Sequence, residues 1–231
     1  MTSNPRWFLK LLGPWQLLNG GELVHVTLRQ QRLITALAIL PRQPRPVLAG
    51  TLWPDSSEAL AAGNLRAAIW CVAHELPNLL ASDHDLLRLA GPVSIDVSIL
   101  LDRLGSFLGH DWSYEPSFLP LLQNSELLPG WYEAWLAPEQ DSLRQLRLSV
   151  LDALGRGLLA HGDFGHARDS AKIAIAIEPL NESSHNLLIR SFLALGDRSE
   201  AVRHYLLFRA MLIDELGIEP SSQFAELVTS R

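Results

Sequence analysis

Few residues of this chain have the type and spacing needed for chemistry. Cys71 and His74 are three positions apart, so a helix would place a thiol near an imidazole able to act as its base. His161, His166 and His185 follow in the C-terminal half, but a zinc site needs three or four ligands at short regular spacing, and one cysteine supplies no structural zinc set. Because such pairs and scattered histidines also arise by chance, we predict no catalytic residue, no metal, no cofactor and no enzymatic activity.

Neither a phosphate-binding loop nor a pair of catalytic carboxylates is evident. Gly20-Gly21 follows Asn19 between two apolar runs, which is typical of a hairpin turn. Asp214-Glu215 lies at a predicted helix end, where solvation or capping explains both carboxylates. The sequence contains no Gly-x-x-x-x-Gly-Lys-Ser/Thr, so switching driven by a bound nucleotide is not expected.

The composition is that of an ordered globular chain. Of its 231 residues 48% are hydrophobic and 19% are charged. No apolar run approaches the roughly 20 residues that span a bilayer, and the N-terminus lacks the apolar core of a signal peptide. The single cysteine, Cys71, allows no intrachain disulfide, which fits a reducing compartment. We therefore expect a cytoplasmic protein with no membrane partner.

The formal net charge of −6 is unevenly distributed. Residues 1–105 contain nine Lys/Arg and eight Asp/Glu, a net charge of +1, whereas residues 106–231 contain ten and seventeen, a net charge of −7. This contrast suggests two domains with different partners. The first of them lacks the strongly basic surface that marks many nucleic-acid-binding domains.

A repeat with a period of 34 residues lies near the C-terminus. Gly162-Asp163 is echoed by Gly196-Asp197, and Ala167 is echoed by Ala201. This period is the signature of tetratricopeptide hairpins, which bury their apolar faces only by stacking on neighbours. Such stacks present grooves that bind other proteins, so the repeat favours recognition over catalysis.

The first hundred residues predict a mixed α and β domain. Short strands within 7–28 precede helices at 31–40, 47–53 and 59–76, and residues 86–89 and 93–95 are predicted to pair as a hairpin. In the third helix, the predicted core face consists of Leu65, Ile69, Val72 and Leu76. A sheet, three helices and a hairpin in this order are typical of a winged helix, whose third helix lies in the major groove.

The rest of the chain is predicted to be helical. We expect helices at 99–108, at 143–161, in the two repeat hairpins and at 222–229, with the last long helix ending at Gly217. The stretch 112–136, rich in proline, is predicted to be irregular. Its tryptophans, Trp112, Trp131 and Trp135, are expected to form a core that joins the two domains.

Three segments resemble a known family. The run Glu126-Leu127-Leu128-Pro129-Gly130-Trp131-Tyr132-Glu133 looks like the beginning of the bacterial transcriptional activator domain. Leu143-Arg144-Gln145-Leu146-Arg147 and Asp214-Glu215-Leu216-Gly217-Ile218-Glu219-Pro220-Ser221 look like its first long helix and its closing signature. The preceding hundred residues resemble the winged helix that partners this domain in the antibiotic regulatory protein (SARP) family of activators.

This resemblance implies a fold and a function. The expected fold is an α+β winged helix over residues 1–104 followed by an all-α tetratricopeptide-like repeat domain over 106–231. The expected function is a transcriptional regulator that binds direct repeats in double-stranded promoter DNA and helps to recruit RNA polymerase. A homodimer is a further expectation.

The third helix would carry the base contacts. Its predicted outward residues are Arg66, Ala67, Trp70, Cys71, Ala73 and His74. Only Asn64 and Arg66 offer the bidentate groups that read base edges best, and Cys71 and Ala73 stand where the family usually places Arg. At the groove we predict contacts from Asn64, Arg66, Ala67, Trp70, Cys71 and His74. For the phosphates and the wing we name Arg42, Arg45 and Arg88, with Arg29 and Arg32 as further phosphate candidates.

Two alternatives stay open at this point. The chain either reads promoter DNA, or it is a protein-interaction adaptor whose degenerate winged helix no longer does so. Trp70 either packs against the second helix or marks a protein contact.

Overall fold

The computed structural model describes residues 7–83, 86–91, 93–109 and 117–229. The chain divides into two compact units, Met1–Arg103 with Glu126–Asp141, and Leu104–Ser125 with Ser142–Arg231. The first unit mixes strands and helices and the second is helical, as predicted. The assignment of separate roles to residues 1–104 and 106–231 stays a prediction.

The first unit holds the strands and the first helices. Its elements in chain order are β1 (Trp7–Lys10), β2 (Gln16–Asn19), β3 (Glu22–Val24), α1 (Leu28–Ile39), α2 (Arg45–Leu52), α3 (Glu58–Glu75), β4 (Leu80–Asp83), β5 (Leu86–Leu89), β6 (Val93–Ile95) and the beginning of α4 (Asp96–Gly109).

A four-stranded sheet opens the unit, in the order β3-β2-β1-β6. The β2–β3 pair is antiparallel, and the turn between its strands is formed by Gly20 and Gly21, with φ of 62° and 95°. A two-residue turn with positive φ at both positions strongly favours glycine, which is why this hairpin was predictable. Strand β6 closes the other side of the sheet, parallel to β1.

The predicted hairpin of 86–89 with 93–95 is wrong. Strand β5 pairs instead with β4 in a separate two-stranded sheet, and β6 joins the N-terminal sheet. Strand β4 has the sequence Leu-Ala-Ser-Asp, whose last three residues are poor strand formers, so no local signal predicts it. Its pairing with β5 supplies the stability that propensity does not. The β4–β5 hairpin is therefore the wing.

A carboxylate joins the sheet to the helix that follows it. Both oxygens of Asp96, the first residue of α4, accept the backbone N–H of Leu11 at 2.9 and 3.0 Å, and one of them accepts that of Leu12 at 3.0 Å. The other oxygen accepts the N–H of Val97 at 2.8 Å. Charged acceptors of backbone N–H groups are strong, so Asp96 fixes the end of β1 against the start of α4.

Residues 126–141 return to this unit although they lie beyond α4 in sequence. Gly13 donates its N–H to the carbonyl of Glu126 at 2.7 Å, and Leu128 donates to that of Leu11 at 2.9 Å. Leu128 is fully buried with φ of 45°, a left-handed conformation that non-glycine residues rarely adopt. The side chain of Gln140 secures it by donating to the carbonyl of Leu127 at 3.0 Å.

The tryptophan cluster was predicted from this part of the chain. Trp131 and Trp135 are half-buried in the segment that joins the first unit, and Trp112 lies outside the described residues. The core that joins two domains therefore stays a prediction.

The second unit is built from helices. They are α5 (Phe118–Gln123), α6 (Ala137–Ala160), α7 (Phe164–Ile177), α8 (Glu182–Ala194), α9 (Arg198–Leu216) and α10 (Ser222–Thr229), and α6 begins inside the segment that belongs to the first unit.

Helix α5 corrects the prediction that 112–136 is irregular. Its proline, Pro120, lies in the first turn, where a helix needs no N–H donor. Buried Arg147 of α6 donates to the carbonyl of Leu122 at 2.7 and 2.9 Å, so a carbonyl at the end of α5 finds a partner. Helix α6 also begins six residues earlier than predicted.

The 34-residue repeat is confirmed in the structure. Gly162 and Gly196 adopt positive φ, 83° and 81°, at equivalent turns. The aspartates that follow cap the next helices: Asp163 accepts the N–H of His166, and Asp197 accepts that of Glu200. A left-handed glycine followed by an N-cap aspartate ends one helix and starts the next, which explains the sequence echo.

A histidine pair lies in the core of the second unit. His185 is 2% exposed, its Nε2 donates to the carbonyl of Pro179 at 2.9 Å, and its Nδ1 lies 2.8 Å from Nε2 of His204. Its ring stacks on Phe208 with a centroid distance of 3.8 Å. Burial lowers the pKa of His185 to about 4, and burial also lowers the pKa of His204, against the attraction of Glu200. Both rings are therefore neutral at pH 7.

Within the part of the chain that the structure describes, none of the helices combines the length and apolarity needed to cross a membrane.

Substitution by alanine should change the free energy of unfolding in opposite directions at two glycines of α6. A Cβ on Gly155 would overlap Cδ2 of buried Leu187 and lie 3.4 Å from Cβ of Ser170, whereas a Cβ on Gly157 meets nothing within 4 Å. Gly157→Ala should raise the free energy of unfolding by about 0.5–1 kcal/mol through helix propensity. Gly155→Ala should lower it by about 1–3 kcal/mol through overpacking. Urea unfolding followed by circular dichroism measures both, and equal changes would contradict this packing.

The second unit should lose stability in mild acid. An unfolded His185 binds a proton near pH 6.5, but the folded one binds it only near its pKa of about 4. The free energy of unfolding should therefore fall by up to about 3 kcal/mol as the pH drops from 6.5 to 4. His185→Gln should flatten this dependence, whereas His25→Gln, at an exposed position, should preserve it. Parallel pH profiles for the three proteins in urea unfolding would disprove the assignment.

Candidate nucleic-acid interface

Helix α3 packs through one narrow face. Its buried residues are Ala61, Leu65, Ala68 and Val72, at intervals of four, three and four. Ile69, predicted for this face, is only half-buried. Because two of the four buried residues are alanines, α3 can lie close to α2 and α1, the helices that it contacts.

The opposite face of α3 is open to solvent. Arg66, Ala67, Trp70 and His74 are exposed there, together with Ala73. The structure therefore brings four of the six residues predicted for the groove onto one exposed surface. The other two, Asn64 and Cys71, are half-buried.

Trp70 is the most prominent residue on this face. Its side chain is 66% exposed and its ring stacks on His74, with centroids 5.2 Å apart and planes within 6°. The alternative that Trp70 packs against the second helix is therefore wrong. A large aromatic ring held in the open is a common feature of contact surfaces.

Gln30 positions the end of α3, and sequence analysis missed it. Its side chain is 2% exposed, its Oε1 accepts the N–H of Thr27 at 2.7 Å, and its Nε2 donates to Glu75 at 2.7 Å. The first bond completes a capping box that starts α1 at Leu28, earlier than predicted. The Thr-x-x-Gln pattern could have revealed the cap, but nothing local indicates the bond to Glu75.

Three of the five arginines predicted for phosphates lie around the wing. Arg42 is exposed, half-buried Arg45 donates to the hydroxyl of Ser82 in β4 at 2.9 Å, and Arg88 lies on β5. Arg42 and Arg88 also line a cavity of about 150 Å³ between the end of α1 and β5. These basic groups belong to the same unit as α3.

Arg32 has a different role from the one expected. Its Nη2 donates to Oε2 of Glu133 at 2.8 Å and to the carbonyl of Leu52 at 2.7 Å, and its Nε lies 2.7 Å from Oε1 of Glu133. A guanidinium committed to a carboxylate and a helix end is not free for phosphate. Because Glu133 is 101 residues away, no sequence spacing reveals this pair.

The side chains that could ligate a metal are not clustered in the residues that the structure describes. Nowhere in those ranges do three or more His, Cys, Asp or Glu side chains gather so that they could hold a metal ion. His74, the candidate base for Cys71, has its ring stacked on Trp70. The open face of α3 and the arginines near the wing are therefore the candidate site.

Comparison with known proteins finds a family match in the C-terminal part of the chain. Residues 120–230 match the bacterial transcriptional activator domain. The chain carries a bacterial transcriptional activator domain. The resemblance to SARP-type transcriptional activators is confirmed, and this family consists of regulators rather than enzymes.

Two relatives extend beyond the activator domain. The chain is 27% identical to the regulatory protein AfsR of Streptomyces coelicolor over an alignment of 233 positions, which covers 94% of this chain but 23% of AfsR. It also superposes on the structure of Mycobacterium tuberculosis EmbR in complex with a low affinity phosphopeptide, with a TM-score of 0.69 at 17% identity. That match covers 96% of this chain and 64% of the EmbR chain, and it confirms the predicted fold class.

Substitution of the paired Arg32 and of the exposed Arg42 should affect stability differently. Arg32→Gln should lower the free energy of unfolding by about 2 kcal/mol, because it breaks a charge-assisted pair with Glu133. Arg42→Gln, at an exposed position, should change it by less than about 0.5 kcal/mol. Urea unfolding followed by circular dichroism measures both changes. If Arg32→Gln leaves the free energy of unfolding unchanged, the structural role given to Arg32 is contradicted.

Proposed function

We propose that this chain is a promoter-binding transcriptional activator whose helix α3 enters the major groove. The observation that carries the proposal is the open face of α3, where Arg66, Ala67, Trp70 and His74 are exposed together. Half-buried Asn64 and Cys71 flank it. In a winged helix the corresponding helix meets base edges, so a single exposed face of this length fits one groove.

The wing and its surroundings would supply the phosphate contacts. Arg42, Arg45 and Arg88 lie on or beside β4 and β5, in the same unit as α3. Contacts of this kind add affinity that is independent of sequence and falls with salt. Because α3 itself has a single Lys or Arg, Arg66, these three arginines would contribute much of the binding energy.

The remaining parts of the proposal concern partners. Residues 1–104 would bind direct repeats in double-stranded promoter DNA, and residues 106–231 would contact RNA polymerase and the second copy of a homodimer. Support comes from the activator domain and its tetratricopeptide-like hairpins, an architecture that binds other proteins. A protein with these partners acts in the cytoplasm, where promoter DNA lies.

A second candidate function is favoured by the same face of α3. Ala67, Trp70 and Ala73 are exposed and apolar, and an exposed apolar face with few charges also suits a protein partner. Under this hypothesis the winged helix is an adaptor that no longer reads DNA.

Selection of duplexes from a random DNA pool with the full chain distinguishes the promoter-binding activator from the adaptor. We expect an enriched motif, and a logarithm of affinity that decreases linearly with the logarithm of salt concentration. Arg42→Gln should reduce the magnitude of that slope by about 1, whereas Arg156→Gln in α6, also exposed, should not. Recovery of no motif, with equally weak binding to all duplexes, would favour the adaptor.

A gain of charge on the open face provides an independent check. Ala73→Arg adds a guanidinium beside Trp70, so affinity for any duplex should rise severalfold at low salt if this face meets DNA. Fluorescence anisotropy measures the change. Unaltered affinity would place the DNA elsewhere and count against the first proposal.

A further inference from the structure

We propose that α3 selects its DNA sequence through thymine methyl groups, which contact an apolar strip formed by Ala67, Trp70 and Ala73. The inference rests on the proposed function, because it assigns what the open face of α3 recognises. These three residues are exposed. In a helix that enters the major groove, side chains that hydrogen-bond to base edges would be expected at these positions.

The strip has the dimensions of a short run of base pairs. Ala67 and Ala73 are six residues apart, which is about 9 Å along a helix that rises 1.5 Å per residue. Successive base pairs are separated by about 3.4 Å, so the strip spans about three of them. Trp70 lies midway between the two alanines.

The chemistry of base edges restricts what an apolar strip can recognise. In the major groove both kinds of base pair present hydrogen-bond donors and acceptors, the O4 of thymine among them, and thymine alone adds an apolar group, its C5-methyl. Opposite the strip, either kind of pair would lose hydrogen bonds to water without replacement, which costs free energy. An A·T pair offsets part of that cost by burying its methyl against Ala67, Trp70 or Ala73, and a G·C pair has no such group, so the strip should select A·T pairs.

The indole of Trp70 is prepared for such a contact. Its stack on His74 holds the ring in one orientation, although 66% of the side chain remains exposed. A ring that is already ordered loses less conformational entropy on binding than a free one. A methyl group that meets it is then buried at a small entropic cost.

The charges of α3 leave the strip to determine specificity. Arg66 is next to Ala67 and is suited to guanine, so a G·C pair is expected beside the A·T run. The acidic residues of α3 are at its two ends, Glu58 in the first turn and Glu75 at the last residue. The carboxylate of Glu75 accepts from Gln30 and is thereby directed toward α1.

Deoxyuridine is the probe, because it removes the methyl of thymine and keeps the hydrogen bonds of the base pair. The full chain is first used to select a duplex from a random pool, and each thymine of that duplex is then replaced in turn. Affinity, measured by fluorescence anisotropy, should fall about fourfold for each contacted methyl, the equivalent of one buried carbon.

Variants identify the residues that meet the methyls. Trp70→Ala and Ala67→Gln should each abolish the difference between thymine and deoxyuridine only at the position that the changed residue contacts, because the indole is lost in the first variant and the side chain is polar in the second. Ala210→Gln makes the same change as Ala67→Gln at an exposed position of α9 and should preserve the fourfold difference. Thermal unfolding by circular dichroism shows whether each variant is folded before binding is compared.

The possible outcomes are distinguishable. The wild-type chain could select a motif but bind the deoxyuridine duplexes as tightly as the thymine duplex. In that case the inference about methyl groups is overturned and the proposed function stands. A selected core of G·C pairs alone would have the same consequence. If no duplex is selected, both the inference and the proposed function are overturned.

Discussion

The narrow buried face of α3 is the constraint on which the rest of the candidate site depends. Four residues of this 18-residue helix are buried, Ala61, Leu65, Ala68 and Val72, and nine are exposed. A helix whose core contacts are wider would bury Trp70, and a helix without the two alanines would stand further from α1 and α2. Small side chains allow close approach, and close approach holds α3 firmly while exposing a face for contact. The hydrogen bond between Gln30 and Glu75 fixes the C-terminal end of α3 against α1.

Arginines of similar appearance in the sequence have different roles in the structure. Arg32 is held by Glu133 and the carbonyl of Leu52, whereas Arg42 is exposed and Arg45 reaches Ser82 on the wing. The difference follows from the segment 126–141, which returns to the first unit and brings an acidic partner to α1. The beginning of the activator domain therefore contributes to the packing of the winged-helix unit. Together with Asp96, which holds β1 to α4, this segment stabilises the framework that presents α3 and the wing.

The second unit uses a different principle. Its hairpins repeat a left-handed glycine and a capping aspartate, and they bury alanines at equivalent positions, 167 and 201. Close packing extends to α6, where Gly155 lies against Leu187. The neutral pair His185 and His204 lies within this core, so the unit that would contact protein partners also contains groups whose protonation opposes folding.

Local signals in the sequence determined much of this architecture. The Gly20-Gly21 turn, the repeat of Gly162-Asp163 and the end of α9 at Gly217 depend on backbone conformations that glycine adopts most easily. The apolar spacing of α3 identified most of its exposed residues in advance, although Cys71 is half-buried. Long-range contacts decided the rest. Strand β4 exists because β5 pairs with it, and Arg32 is occupied because residue 133 folds back to it. Propensity and periodicity act over a few residues, whereas these partners are brought together only when the chain folds.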